Sequence, residues 1–302
     1  MFKSKNSMSR ALVRRETTAG YLFLLPSLFF FVTFVLYPMF LCIYTSFFDS
    51  NMGKNAVDVF VGLGNYKELF RDKLFLGALK NTVVIVVVAV PTVCAFSLWV
   101  ATAIYDMKPA LTSAFRCIFY LPVVTGSVAV TVVWKWMYNS RYGVFNYLFK
   151  SLGIIDQNIN WLGDARFALW CIILILFTTS VGQPIVLYVS ALGNVDHSLV
   201  EAAQVDGANR RQVFWKIKWA QIMPTTLYIL IITTINSFQC FALIQLLTSG
   251  GPTHSTDTIM YYIYYTAFKL YRYGYGNAMG VMLMIIIAVL SAVQFKLGQQ
   301  SD

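Results

Sequence analysis

The sequence predicts an all-α membrane protein with six spanning helices, and three observations carry that reading. Mean hydropathy is +0.64. Of 302 residues, 58% are apolar and only 12% charged, where soluble domains carry about 25% charge. Six apolar stretches each reach the roughly 20 residues that a helix needs to cross a bilayer core. An aromatic content of 16% suits a chain that meets two membrane interfaces, where Trp and Tyr collect. Together these exclude a disordered chain, a coiled coil, a disulfide-stapled secreted module and most soluble enzymes.

The spans read as Gly20–Phe48, Asn81–Tyr105, Cys117–Tyr138, Phe167–Leu192, Gln221–Leu247 and Asn277–Phe295. Five carry no formal charge; the third holds Lys135 near its end, from which the side chain can snorkel to the headgroups. Pro26, Pro38, Pro91, Pro122 and Pro184 fall inside spans, and each removes a backbone donor, so kinks or breaks are expected. The first span is too long for a signal-peptide core, has internal prolines and lacks a small-residue cleavage site, so it is expected to stay in the mature chain. The run Thr258–Phe268 is too short to cross, and five of its eleven residues are Tyr or Phe. It reads as an interfacial helix.

This divides the chain into a tail (1–19), a first transmembrane helix (20–48), an outer loop (49–80), a core (81–295) with a long loop at 196–220, and a second tail (296–302). Lys3, Lys5, Arg10, Arg14 and Arg15 stand against Glu16 alone in the first tail, which argues for a cytoplasmic N-terminus held near anionic lipid. Six spans return the C-terminus to the same side. Over all loops that topology leaves 12 basic residues inside and 10 outside, so the orientation rests on the tail and on the 196–220 loop. The net charge of +10 lies in the gaps between spans. A nucleic-acid reader would gather it into one stripe.

Chemistry-bearing residues are sparse. Cys42, Cys94, Cys117, Cys171 and Cys240 lie in or beside apolar runs without metal-ligand spacing and read as packing residues. His197, Asp206 and His254 sit in loops with no acid pair or nucleophile arrangement, and there is no phosphate-binding glycine motif. A membrane-embedded enzyme would need a His, Asp or Glu cluster at membrane depth. An ion-coupled transporter or channel would need ionisable groups in its spans, and only Lys135 is there.

The loop between spans four and five is the informative segment. From His197 to Lys218 it reads as two short helices. Ser198 and Glu201 form an S-x-x-E capping box, Gly207 is placed to end the first helix in a left-handed conformation, and the second sets Phe214 and Ile217 opposite Arg211 and Lys218. Either a rigid lever against a partner or a helix lying on the membrane would look like this.

Glu201-Ala202-Ala203, three residues, Gly207, nine residues and Ile217 resemble the EAA motif of permease subunits from binding-protein-dependent ABC importers. Where that family continues with Leu-Pro, this chain has Trp219-Ala220, although Pro224 occupies another proline position common there. Leu36-Tyr37-Pro38, Phe60 through Tyr66, Leu79-Lys80-Asn81-Thr82, Leu121-Pro122, Trp161-Leu162-Gly163-Asp164 and Gly250-Gly251-Pro252 are similar to the sugar-type branch that includes maltose and glycerol-phosphate permeases. The resemblance implies a type I importer permease fold in a bacterial cell membrane. It also implies a homologous second permease, two cytoplasmic ATP-binding subunits, and a solute-binding protein met by Asp49–Lys80 and Asn139–Arg166. The chain itself would be no enzyme and hold no cofactor, with ATP used by the partner. Glu201, Ala202, Ala203, Gly207 and Ile217 would be the coupling residues, with Glu201 either capping its own helix or meeting a basic group on the ATPase.

Polar groups inside spans are costly and mark candidate paths. Span five has Asn236, Gln239 and Gln245 with Phe238 and Phe241 nearby. Asn236 and Gln239 are three apart and share a helix face; Gln183 is a further candidate in span four. Amides bond hydroxyls and rings suit the apolar faces of a pyranose, while the alternative is that these amides tie helices together. With no basic residue in span five, a neutral sugar is favoured over a phosphorylated polyol or amino-acid derivative.

Overall fold

The computed structural model describes residues 3–50 and 58–299, with side chains from residue 15 to 298. Residues 1–2, 51–57 of the first outer loop and 300–302 of the last tail lie outside the described residues, as do the side chains of Lys3, Lys5, Arg10 and Arg14.

Helix α1 (Lys3–Phe31) runs through a π-helical turn (Val32–Leu36) into α2 (Tyr37–Thr45). Two-residue strands β1 (Phe48–Asp49) and β2 (Val59–Phe60) pair antiparallel, with Phe48 opposite Phe60. Then come α3 (Gly64–Leu69), α4 (Lys73–Ile104), α5 (Pro109–Val124), α6 (Ser127–Met137) and α7 (Val144–Ser151). Helices α8 (Ala168–Ser180) and α9 (Gly182–Gly193) make the next span and α10 (His197–Val205) lies in the long loop. A continuous helix follows: α11 (Arg210–Val213), a π turn (Phe214–Lys218) and α12 (Trp219–Phe238). The chain ends with α13 (Ala242–Leu247), α14 (Ile259–Tyr264), a third π turn (Tyr265–Lys269) and α15 (Tyr273–Gln299).

Among the described residues five helical stretches are each long and apolar enough to cross a membrane, and the α5–α6 pair makes a sixth only if taken as one span. That pair corrects the expected Cys117–Tyr138 helix: it bends by 95°. Thr125 and Gly126 at the bend are extended, with ψ of 127° and 141°. Pro122, just upstream, cannot donate to the turn before it, and Gly126 favours leaving the helix. The other prolines act more gently. Pro26 and Pro91 sit inside unbroken helices, and Pro38 follows a π turn that absorbs its missing donor, a local adjustment open to membrane helices.

Two further expectations change. Span two begins eight residues before Asn81, because Asp72 caps α4 by accepting from Leu74 N at 2.8 Å and Phe75 N at 3.3 Å. The aromatic run after Thr258 is packed inside the bundle, not laid on its surface. Ile259, Tyr261, Tyr262, Thr266 and Ala267 are buried, and the hydroxyls of Tyr262 and Tyr275 each donate to Asp72 Oδ2 at 2.8 Å. Aromatic residues this polar-tipped go inside when their hydroxyl finds a partner.

Helix α4 is the axis of the core. At the α10 end, Val93, Val100, Ala101 and Ile104 pack with Ile185, Tyr188 and Leu192 of α9 and Ile222 and Ile229 of α12. At the far end Phe75 and Ala78 pack with Leu69, Phe238, Ile259 and Met279. The α1–α2 helix stands apart. No residue from Arg15 to Thr45 is buried, and α2 meets α15, where Asn277 Nδ2 donates to Thr45 Oγ1 at 2.6 Å.

Candidate functional site

The loop between α9 and α12 is a built structure. Val195 is buried with Leu192 in the core cluster, and Val200 and Phe214 pack against it. Asp196, extended at ψ 111°, caps α10: its Oδ1 accepts from Ser198 N at 2.9 Å and Ser198 Oγ at 2.7 Å. The expected box of Ser198 and Glu201 is therefore displaced. Burial of Val195 makes Asp196 the last extended residue, so Ser198 already lies in the helix and Glu201 is left exposed and outside the cap. The hydroxyl of Ser198, then its amide, bonds the charged form of Asp196 and holds its carboxyl below the ordinary value. A capping box does exist one turn later. Asn209 Oδ1 accepts from Gln212 N at 2.9 Å while Gln212 Oε1 accepts from Asn209 N at 2.8 Å.

Gly207 ends α10 as expected. Its φ is +82°, Ala208 N donates to Ala203 O at 2.9 Å, and Gly207 N donates to Gln204 O at 3.1 Å. That double bond pattern is the Schellman motif. A Cβ at 207 would meet nothing within 4 Å, so the backbone angle alone calls for glycine.

The second expected short helix is not separate. Without a proline at Trp219-Ala220 nothing stops it, and the helix continues from Arg210 to Phe238 with Pro224 inside. The expected division of its faces also changes, because residues three and four apart share a face. Phe214 and Ile217 are half-buried as expected, but Lys218 turns inward. Its Nζ bonds the Tyr105 hydroxyl and lies 4.4 Å from that ring's centroid. Asp196 N donates to Gln221 Oε1 at 3.0 Å, which pins α10 to α12. The outward face of α10 carries Leu199, Ala202 and Val205, with Val205 88% exposed. Leu199 and Val205 were missed from sequence, although their spacing from Ala202 at i, i+3 and i+6 was visible.

The polar candidates are sorted by the helices that carry them. A cavity of about 130 Å³ between α5, α8, α9 and α12 is lined by Thr179, Ser180, Gln183, Thr233 and Asn236 among apolar neighbours, with no charged group. It brings Asn236 together with Gln183 from the preceding span. Gln239 is exposed on the same side but ends the helix beyond the cavity. Phe238, two residues from Asn236 and so near the opposite face, is 1% exposed in the core. Phe241 packs edge-on against Tyr264 at 5.0 Å, and Gln245 lies on the separate α13, half-buried. Among the described residues no side-chain hydrogen bond ties Asn236, Gln183 or Gln239 to another helix. The tie between α12 and α15 is made elsewhere, by Gln294 Nε2 donating to Thr234 Oγ1 at 2.9 Å.

At the far end the loop after α13 is held in a strained shape. Ser249, Thr253 and His254 have φ of 47°, 46° and 60°, a region that costs any residue with a Cβ. Asn81 Nδ2 donates to Ser255 O at 3.1 Å and Asp257 O at 3.0 Å, and Thr82 Oγ1 accepts from Ile259 N at 3.0 Å. His254 Nδ1 lies 2.6 Å from Asp257 Oδ2. Burial pushes the Asp257 carboxyl up against the pull of His254. Among the described residues no three His, Cys, Asp or Glu side chains gather as a metal site needs.

A multi-pass helical bundle with an uncharged polar cavity between spans and a capped, apolar-faced loop helix at one end defines a transport permease. Residues 61–299 match the family described as binding-protein-dependent transport system inner membrane component, and the chain belongs to that family. It is 32% identical to the probable ABC transporter permease protein YesP of Bacillus subtilis, over 94% of this chain and 91% of that protein. It is also 32% identical to the lactose transport system permease protein LacF of Rhizobium radiobacter, over 94% and 95% of the two chains. The multiple sugar-binding transport system permease protein MsmF of Streptococcus mutans is again 32% identical, over 94% and 96%. A chain of a bacterial alginate ABC transporter, crystallised with an alginate pentasaccharide-bound periplasmic protein, shares the fold. The TM-score is 0.80, with 24% identity and 93% of each chain covered.

Proposed function

We propose that this permease forms half of the path for a neutral sugar or oligosaccharide in an ATP-driven importer. It pairs with a homologous second permease, receives solute from an extracytoplasmic binding protein, and rests on two ATP-binding subunits that carry all the nucleotide chemistry. The observation that carries the solute reading is the cavity where Asn236 and Gln183 meet. Their amides are unspent on neighbouring helices, and no charge lines the cavity. Such donors and acceptors match hydroxyls, whereas a phosphorylated solute would call for a cation.

In this reading α10 is the piece the ATPase grips. Leu199, Ala202 and Val205 enter a cleft on the partner, Glu201 meets a basic group there because Asp196 does the capping, and Ala203, Gly207 and Ile217 hold the helix in shape. Closure of the ATPase dimer then moves α10, and the spans switch the side to which the cavity opens.

The test uses the full importer in proteoliposomes with a panel of radiolabelled neutral and phosphorylated sugars. Asn236→Ala and Gln183→Ala should each raise the KM for the accepted sugar about tenfold, the worth of one buried hydrogen bond left unmade, with the ATPase still bound. Unchanged KM in both variants would overturn the cavity assignment.

A further inference from the structure

We infer that Lys218 and Tyr105 form the joint through which the loop helix α10 moves α4. The inference rests on the coupling reading above and assigns both side chains as positioning residues. Covalently, α10 is linked only to α9 and, through the Gly207 turn, to the helix that begins at Arg210. The inward turn of Lys218 adds a polar link to a third helix. Lys218 closes the π turn, and its Nζ bonds the Tyr105 hydroxyl. Tyr105 is the C-cap of α4, its N–H donating to Ala101 O. The ammonium therefore stands near the negative end of a helix dipole. Asp106 and Arg210 are the other charged groups that act on Tyr105. Tyr105 packs against the core cluster that holds Ile104 and Val195, as do Val200, Phe214 and Trp219.

What this joint reaches gives it a role. From Tyr105 back to Asn81 α4 runs 24 residues, about 36 Å at 1.5 Å each, and there Asn81 and Thr82 hold the backbone of the strained loop from Ser255 to Ile259. A displacement of α10 entering α4 at Tyr105 is thus delivered to that loop. A π turn interrupts this helix from Phe214 to Lys218, and such turns are frequent at functional sites.

The experiment is amide hydrogen exchange on the intact importer in nanodiscs, with and without ATP, Mg²⁺ and vanadate. Vanadate trapping should change exchange both in α10 and in residues 248–258. In Lys218→Met, which keeps the stem, and Tyr105→Phe, which keeps the ring, the response of α10 should persist while that of 248–258 falls about fivefold or more, within the range of allosteric couplings. The double variant should be no worse than Lys218→Met, since both changes remove one contact, and Lys218→Arg should restore most of the response. ATP hydrolysis, which a merely misfolded chain would lose, should remain. A full response of 248–258 in both single variants overturns the joint, and so does an additive loss in the double variant. Release of the ATPase by Lys218→Met alone also overturns it, by placing Lys218 on the docking surface. If α10 in the unaltered chain neither holds an ATPase nor responds to trapping, the coupling reading itself falls.

Discussion

Replacement of Gly207 tests the loop at its most sensitive point. With φ at +82° and open space where a Cβ would stand, substitution produces no clash, so its cost is the backbone's alone. For an ordinary L-residue the left-handed region costs about 1–2 kcal/mol, and a β-branched residue is a true outlier there. Released to another conformation, the turn loses the bonds from Ala208 to Ala203 and from Gly207 to Gln204, and the outward face of α10 changes its angle to the helix at Arg210. A penalty of that size lowers the population of the native turn roughly five- to thirtyfold. Uptake by reconstituted importer should therefore follow the order glycine, Gly207→Asn, Gly207→Ala, Gly207→Val. Asn stays near the unaltered rate because it visits the left-handed region readily. All four proteins should reach the membrane in equal amount. If Gly207→Asn is as damaged as Gly207→Val, the requirement is for space against a partner and the backbone argument is wrong. Equal uptake in all four removes the lever.

Other perturbations probe the remaining features. Asp72→Ala strands the hydroxyls of Tyr262 and Tyr275 and uncaps α4; it should cost about 2 kcal/mol, read as a lower melting temperature in detergent, with Asp72→Asn milder. At Asp72 burial raises the carboxyl pKa, but hydrogen bonds from Tyr262, Tyr275, Leu74 and Phe75 outweigh it and leave the value lowered. Its contribution is therefore complete above the unfolded carboxylate value of about 4 and lost as pH falls through the folded one, so melting should be flat from neutral pH down to about pH 5 as far as this group is concerned. Gly250→Ala brings a Cβ within 1.9 Å of the buried Asp257 Oδ1 at a φ of +82°. Protease nicking between Ser249 and Asp257 should rise sharply. Asp196→Ala should speed amide exchange at the start of α10, while Asp196→Asn should leave it nearly unchanged, because asparagine caps equally well.

The spans were legible because hydropathy over roughly twenty residues outweighs local detail, and Gly207 because few positions demand a left-handed residue. What stayed hidden depended on single dihedrals or on distant partners. Asp196 and Ser198 are both good caps, and the choice between them is made by Val195 reaching the core, which is a tertiary fact. Lys218, four residues from Phe214, shares its face, but only the distant partner Tyr105 shows that it turns inward. The bend after Val124 follows Pro122, but Pro91 leaves α4 unbroken, so proline alone does not announce a break. Gln183 could be paired with Asn236 only once α9 and α12 were seen side by side.

Span five has a property of a different kind. From Arg210 to Phe238 it is one helix with a π turn near its start, roughly 43 Å at 1.5 Å per residue, with the α10 loop joined to one end and Asn236 near the other. Hydrogen-bonded turns packed at interior density neither stretch nor compress appreciably under load. Whatever slack the transport cycle requires must then lie outside this rod, in the left-handed turn at Gly207 and in the open segment from Gln239 to Phe241. On the proposed reading, a push on the loop and a shift at the polar cavity are one event, felt at both places at once.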